Sequence, residues 1–210
     1  MAVEKADLRR EAGQRTRDRL LVAALELLAQ RGAESVTLRE ITEAAGANVA
    51  AVSYHFGSLL ALCEAAIEHA LELYLDAQMQ AMNALAPGST LDELAAAFAR
   101  PMVNALAAGG YDLAVMRTVA RVGIDPPQGW DRLSGKFDRS RRDALRVLTA
   151  TLPGSSEQDL IFRIRCAAGM LNWVALAPIG AELAGKSPEQ IEAMLLPALT
   201  GALHGYSGAG

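Results

Sequence analysis

The stretch Thr37 to Gly57, TLREITEAAGANVAAVSYHFG, gathers short polar side chains, a tyrosine, a histidine and a central glycine. This set suits hydrogen bonding to a nucleic acid. Two kinds of contact must be separated, because phosphate contacts fix docking whereas base-edge contacts read sequence. Candidates for phosphate are Arg15 and Arg17, placed ahead of the first helix, Thr37 at a helix start where backbone N–H groups favour an anion, and Tyr54 and His55. Candidates for base edges are Asn48, Val49, Ala50, Ser53 and Arg39. Val49 and Ala50 suit thymine methyl groups, and the Ser53 hydroxyl suits several bases. The polar members also have structural roles open to them: capping for Asn48 and Thr37, packing of the Tyr54 ring on the next helix, and for His55 a packed surface ring in place of a phosphate contact.

Two short crossed helices must hold these residues. Thr37 and Glu40 stand in the capping-box relation that opens a helix, and Leu38, Ile41 and Ala45 repeat at helical spacing. Gly46 supplies a left-handed turn without steric penalty, and Asn48 caps a second helix from Val49 to about His55 with Val52 and Phe56 turned inward. Ahead of the pair, Thr16 to Gln30 carries Leu20, Leu21, Ala24, Leu27 and Leu28 on one face, and Arg31-Gly32 ends it. The pattern predicts a three-helix unit whose second and third helices form a helix-turn-helix, the last one fitting a DNA major groove.

With Thr16 to Gly32, TRDRLLVAALELLAQRG, in front and Tyr54-His55-Phe56-Gly57-Ser58 closing it, this stretch resembles the DNA-binding domain of TetR-family transcriptional regulators. The resemblance covers Thr16 to about Leu62 and is architectural beyond that. It implies DNA-backbone contacts for Thr37, Tyr54 and His55, and a homodimer built on the last two long helices of each subunit. The family often has lysine where Val49 stands, and a Lys-Glu pair where Leu59-Leu60 stands. The loss of two cations predicts weaker binding with a shallower salt dependence, unless the arginines nearer the N-terminus compensate.

Overall charge does not announce a polyanionic partner. The net charge is −4; residues 1–60 hold eight Lys/Arg against eight Asp/Glu, and the remainder twelve against sixteen. Within the first twenty residues, however, Lys5, Arg9, Arg10, Arg15, Arg17 and Arg19 outnumber Glu4, Asp7, Glu11 and Asp18, making this arm the locally basic region. The chain is 51% hydrophobic but only 5% aromatic, with alanine and leucine abundant, which favours an all-α fold packed through small residues. The N-terminus lacks the apolar core of a signal peptide, and no uncharged run of about 18 apolar residues follows, so the expectation is a cytoplasmic protein with no membrane partner. Cys63 and Cys166 are too few and too far apart for a disulfide framework or metal site. His55, His69 and His204 show no catalytic or metal-binding spacing, and there is no glycine-rich phosphate loop. Neither an enzyme nor a cofactor is expected.

The expected domains are residues 1–60, the arm and helix-turn-helix, residues 61–204, a helical domain for ligand binding and dimerisation, and a disordered tail at 205–210. Ser58 can cap a long helix with the stripe Leu62, Ala66, Ile67, Ala70, Leu71, Tyr74 and Leu75, joining the two domains. Capping boxes at Thr90/Glu93 and Ser187/Gln190 and a capping Ser156 open later helices. Phe98, Met102, Tyr111, Met116, Arg117, Met170, Asn172 and Trp173 are large or polar groups among small residues, the mixture expected around a pocket for an apolar or amphipathic organic ligand, although core filling accounts for the same residues. Leu160, Ile164, Ala168 and Leu171, with Ile191, Leu195 and Ala198, form apolar stripes expected at a homodimer interface. The reading is a regulator that binds a palindromic operator as a dimer and is released by a small molecule. The alternative is a helical interaction protein on a degenerate scaffold that no longer binds DNA.

Overall fold

The computed structural model describes residues 2–86, 88–126, 130–177, 182–183 and 185–205, without the side chains of 2–6, 8, 9, 130–134 and 136–140. Among the described residues there are nine α-helices and one 3-10 turn at Ala33–Ser35: α1 Ala2–Arg31, α2 Leu38–Ala44, α3 Val49–His55, α4 Leu59–Asn83, α5 Leu91–Ala108, α6 Gly110–Ile124, α7 Trp130–Thr151, α8 Glu157–Leu176 and α9 Pro188–His204. The chain divides into two compact units, Met1–Ala70 and Leu71–Gly210, and the division falls inside α4. The expected tail at 206–210 lies outside the described residues, while Gly205 closes α9.

Most helix starts follow from hydrogen bonds made within four residues. Thr37 accepts from the Glu40 amide while the Glu40 carboxylate accepts from the Thr37 amide, and the same reciprocal pair joins Thr90 to Glu93 and Ser187 to Gln190. Asn48, Ser58 and Ser156 each accept one amide of the first turn of their helices.

One boundary departs from expectation. The first helix does not begin near Thr16 but runs from Ala2, so Arg15 and Arg17 lie within it rather than ahead of it. Between Ala2 and Thr16 only Gly13 weakens a helix, and local pairs support the extension: Arg15 lies 3.7 Å from Glu11, and the Gln14 amide donates to Asp18 at 2.8 Å. A polar helix of this kind carries no apolar stripe to reveal it.

In the first unit, Leu20, Ala24, Leu25 and Leu28 of α1 are buried together with Ile41 of α2, Val52 of α3 and Leu62, Ala66 and Ala70 of α4. Cys63 is buried there as well, and desolvation pushes its thiol up from the usual range, away from thiolate reactivity. In the second unit α5 is central and packs on α6, α7, α8 and α9. Its buried residues, Leu94, Ala95, Ala97, Phe98, Ala99, Pro101, Met102, Val103, Ala105 and Leu106, surround the helix rather than occupying one stripe, as a core helix requires. No single helix among the described residues is long and apolar enough to cross a membrane.

The turn between α2 and α3 rests on one backbone conformation. Gly46 has φ 56°, and a Cβ placed there would meet only Arg19 Nη1, at 3.7 Å. The obstacle to a side chain is therefore the left-handed backbone rather than crowding. Gly46→Ala should destabilise the first unit by about 1–2 kcal/mol. Gly135→Ala, at an exposed helical position with open space around it, should stabilise by about 1 kcal/mol. Urea unfolding of the two variants should move in opposite directions.

Candidate nucleic-acid interface

The exposed surface of the first unit gathers most of the expected DNA-facing residues. Asn48, Val49, Ala50, Ser53 and Tyr54 are all exposed, Val49 at 49% and Tyr54 at 84%, while Val52 is buried. At 100° per residue, positions 49, 50, 53 and 54 fall within an arc of about 140° and Val52 lies away from it, so one helix presents two apolar groups, a hydroxyl and a phenol side by side. The Asn48 side chain is occupied as a cap, its Oδ1 accepting from the Ala51 amide at 2.8 Å.

Phosphate candidates divide into exposed and occupied groups. Arg15 is exposed beside Glu11. Arg17 is half-buried, with its guanidinium over the Phe56 ring at 5.1 Å, an arrangement that packs the side chain and leaves its charge in place. Phe56 is accordingly half-buried rather than wholly inside. His55 is half-buried too; its Cε1 would lie 3.8 Å from a Cβ at Gly13 of α1, and its ring meets Tyr54 edge-on at 4.8 Å. The packed role therefore has direct geometric support. Thr37 is exposed, but its amide and hydroxyl donate to Glu40 Oε2 at 3.0 and 2.6 Å. Arg39 is exposed and paired to Glu43 at 2.7 Å along the surface of α2.

Sequence reasoning passed over Arg19. It is exposed one turn beyond Arg15, with Nη1 beside Gly46 at the helix-turn-helix bend. The i, i+4 relation to Arg15 was the available signal.

The second unit arranges the expected ligand residues differently from the sequence reading. Phe98, Met102 and Met116 do come together, but as fully packed members of the main core cluster. Tyr111 and Arg117 are half-buried, and Arg117 Nε donates to the Ala175 carbonyl at 3.1 Å. Asn172 is half-buried against α6, so close that a Cβ at Gly123 would lie 2.5 Å from its Nδ2. Met170 and Trp173 are exposed, Trp173 at 64%, and do not join the core residues. The reason is helical phase: Leu171 and Ala175 face inward, Trp173 is two places from each and points nearly opposite, and Met170, one place from Leu171, is turned about 100° to the side. A cleft of about 240 Å³ between α4 and α5 is lined by Ala77, Gln80, Ala81, Ala84, Arg100, Pro101 and Asn104, none of them on the expected list.

Residues 20–66 match the family model described as bacterial regulatory proteins, tetR family. The chain carries a TetR-family helix-turn-helix domain. Solved structures extend the likeness of fold over nearly the whole chain. The TetR-family transcriptional regulator PfmR from Thermus thermophilus is 18% identical, with a TM-score of 0.61 over 87% of this chain and 97% of its own. The fatty acid degradation regulator FadR from Bacillus halodurans is 15% identical, with a TM-score of 0.59 over 91% and 97%. GusR from Salmonella enterica is 20% identical, with a TM-score of 0.56 over 90% and 96%. No curated protein matches the chain.

Outside the TetR-type domain, the stripes expected at a dimer interface prove to be largely internal. Leu160, Ile164, Leu171 and Ile191 are buried in the chain's own core, Ala168 and Leu195 are half-buried against it, and Ala198 is exposed. The apolar side chains left exposed on α8 and α9 include instead Phe162, 65% exposed, and Trp173, with Met170, Met194 and Ala198. Periodicity revealed apolar residues on two sides of α8 without showing which side was the inner one. Among the described residues, no three His, Cys, Asp or Glu side chains could together hold a metal ion.

Within the TetR-type domain, Glu40 is the titratable group with the strongest partners. Arg31 Nη1 lies 2.9 Å from Oε1 and Thr37 donates to Oε2, so the Arg31 bond first and the Thr37 bonds second hold the carboxyl at about 2, against 4.5 ordinarily. A folded-state value below the unfolded one means that the stabilisation is complete above about pH 4.5 and is lost as the pH falls toward 2. Glu40→Gln should lower Tm at pH 7 and flatten the fall in Tm across that acid window. Parallel acid limbs in the two proteins would show that the network contributes nothing.

Proposed function

We propose that the protein is a dimeric, ligand-responsive transcriptional regulator that represses from a palindromic operator and is released when a small organic molecule enters the second unit. The observation that carries this reading is the exposed arc of Val49, Ala50, Ser53 and Tyr54 on a helix whose opposite side, at Val52, is anchored in the TetR-type core. Such a helix offers base contacts from a fixed position, and the exposed Arg15, Arg19 and Arg39 supply cations on the same unit. Val49, exposed, and Leu59, half-buried, stand where the family often supplies cations, so apolar base contact and the α1 arginines carry more of the binding.

Dimerisation is supported by the open face of α8 and α9. Phe162 and Trp173 lie eleven residues apart, about 16 Å along one side of α8, and α9, which packs against α8, leaves Met194 and Ala198 exposed as well. Two such pairs stacked about a twofold axis make a closed four-helix interface, and a twofold protein matches a palindromic site. Ligand control requires that the ligand bind better to the form whose recognition helices are wrongly spaced for successive major grooves. Because α4 belongs to both units, it is the element able to transmit that difference.

Fluorescence anisotropy with the DNA upstream of its own gene tests the reading. Binding should exceed that to random DNA at the same salt concentration. Ser53→Ala should change sequence preference, whereas Arg15→Ala should weaken all sequences alike and reduce the slope of log K against log salt by about 0.9. Equal affinity for upstream and random DNA at low salt would defeat the regulator reading. In light scattering, the wild-type chain should be a dimer and the Phe162→Asp/Trp173→Asp variant a monomer; a wild-type monomer at micromolar concentration would remove the dimer from the scheme.

A further inference from the structure

Gln78 is fully buried in α4, and neither its Nε2 nor its Oε1 has a hydrogen-bond partner among the described residues. Its place in the helix defines its surroundings. Leu71, Tyr74, Leu75, Ala81 and Met82 lie three, four or seven residues away on the same helical face. Ala81 and Met82 belong to the core cluster that contains Phe98, Met102, Met116 and Leu171, and Tyr74 packs against it. A primary amide is thus set into the one face of α4 where every neighbouring position is apolar or aromatic. Buried polar groups in folded proteins are nearly always paired, and an unpaired amide in apolar surroundings is costly at both of its atoms.

We propose that Gln78 is the recognition group for the effector in the second unit, and that the effector is an uncharged, mainly apolar molecule carrying a hydrogen-bond donor and an acceptor side by side, as in a primary carboxamide or a lactam. The proposal rests on the ligand-responsive reading above and adds to it the chemistry of the ligand. An amide side chain donates through Nε2 and accepts through Oε1, so its full complement is an acceptor and a donor held together. A carboxylate or phosphate satisfies Nε2 but turns lone pairs toward Oε1. Among the described residues of the second unit the fully buried polar side chains are Gln78 and Thr118, and the one largely buried guanidinium, that of Arg163, is already paired with Asp159 at 2.6 Å. Arg117 commits its Nε to the Ala175 carbonyl. Tyr74, one turn from Gln78, stays neutral at any physiological pH because burial pushes its phenol up to about 12. An anion brought among these groups would be desolvated without compensation.

Isothermal titration calorimetry on the full-length protein tests this with straight-chain primary amides from hexanamide to decanamide, the methyl ester of each, and the matching carboxylate at pH 8. At the best-fitting length the amide should bind about tenfold more tightly than its ester, which lacks the donor, and the carboxylate more weakly than either. Gln78→Met keeps the length of the side chain and removes both polar atoms. It should bring amide and ester to within about twofold of each other and raise the Tm of the ligand-free protein, with Gln78→Leu as the alternative should the first variant fold poorly by circular dichroism. No amide binding, equal binding of amide and ester by the wild-type protein, or a preference that survives both substitutions would overturn the proposal. Operator binding measured on the same preparations separates the two readings: intact DNA binding without an amide preference removes only the ligand chemistry, whereas absent DNA binding removes the regulator.

Discussion

Arg31, Glu40 and Thr37 form one connected set of bonds at the point where three decisions about the backbone meet. Arg31 is the last residue of α1, Thr37 precedes α2, and Glu40 completes its first turn. The carboxylate of Glu40 holds the Arg31 guanidinium at one oxygen and the Thr37 amide and hydroxyl at the other. The direction in which α2 leaves α1 follows from that arrangement. Gly46 and Asn48 then set the direction in which α3 leaves α2. Helices of seven residues are too short to persist on intrinsic propensity, so α2 and α3 depend on their caps and on burying Ile41 and Val52 against the rest of the unit. A recognition helix positioned this way needs little reorganisation when a ligand meets its exposed side.

Features encoded within four consecutive residues were the ones legible in advance. Capping boxes at Thr37, Thr90 and Ser187 and single caps at Asn48, Ser58 and Ser156 all occur where the sequence placed them, because each is complete in its own hydrogen bonds. The exposed set on α3 was legible for a similar reason: a seven-residue helix with one anchoring valine has one way to turn. The reach of α1 back to Ala2 was hidden because a stretch of mainly polar sequence has no periodic apolar signal.

Questions of facing required the three-dimensional structure. Both sides of α8 read as apolar, and only packing shows that Leu160, Ile164, Ala167 and Leu171 are turned inward while Phe162 and Trp173 are left outside. The same ambiguity dispersed the expected ligand set, which mixed inward residues such as Met116 with outward ones such as Met170. Gln78 was missed for the opposite reason. The stripe on α4 was traced by its apolar members, so the polar residue occupying one of its positions dropped out of view, although that substitution within the pattern was the informative event. A buried amide without a partner costs about 1–3 kcal/mol, enough that its presence in an apolar core calls for a chemical reason.

Pro101 lies within α5, the helix on which α6, α7, α8 and α9 all pack. Proline has no amide hydrogen, so the carbonyl of Ala97 lacks the donor that the helix would otherwise provide. α5 nevertheless continues as one helix from Leu91 to Ala108, with this one bond missing from its ladder. The neighbouring bonds still span the position, and Phe98, Met102 and Val103 beside it are buried. In mechanical terms, the point of least backbone stiffness in α5 lies where side-chain packing around it is most complete.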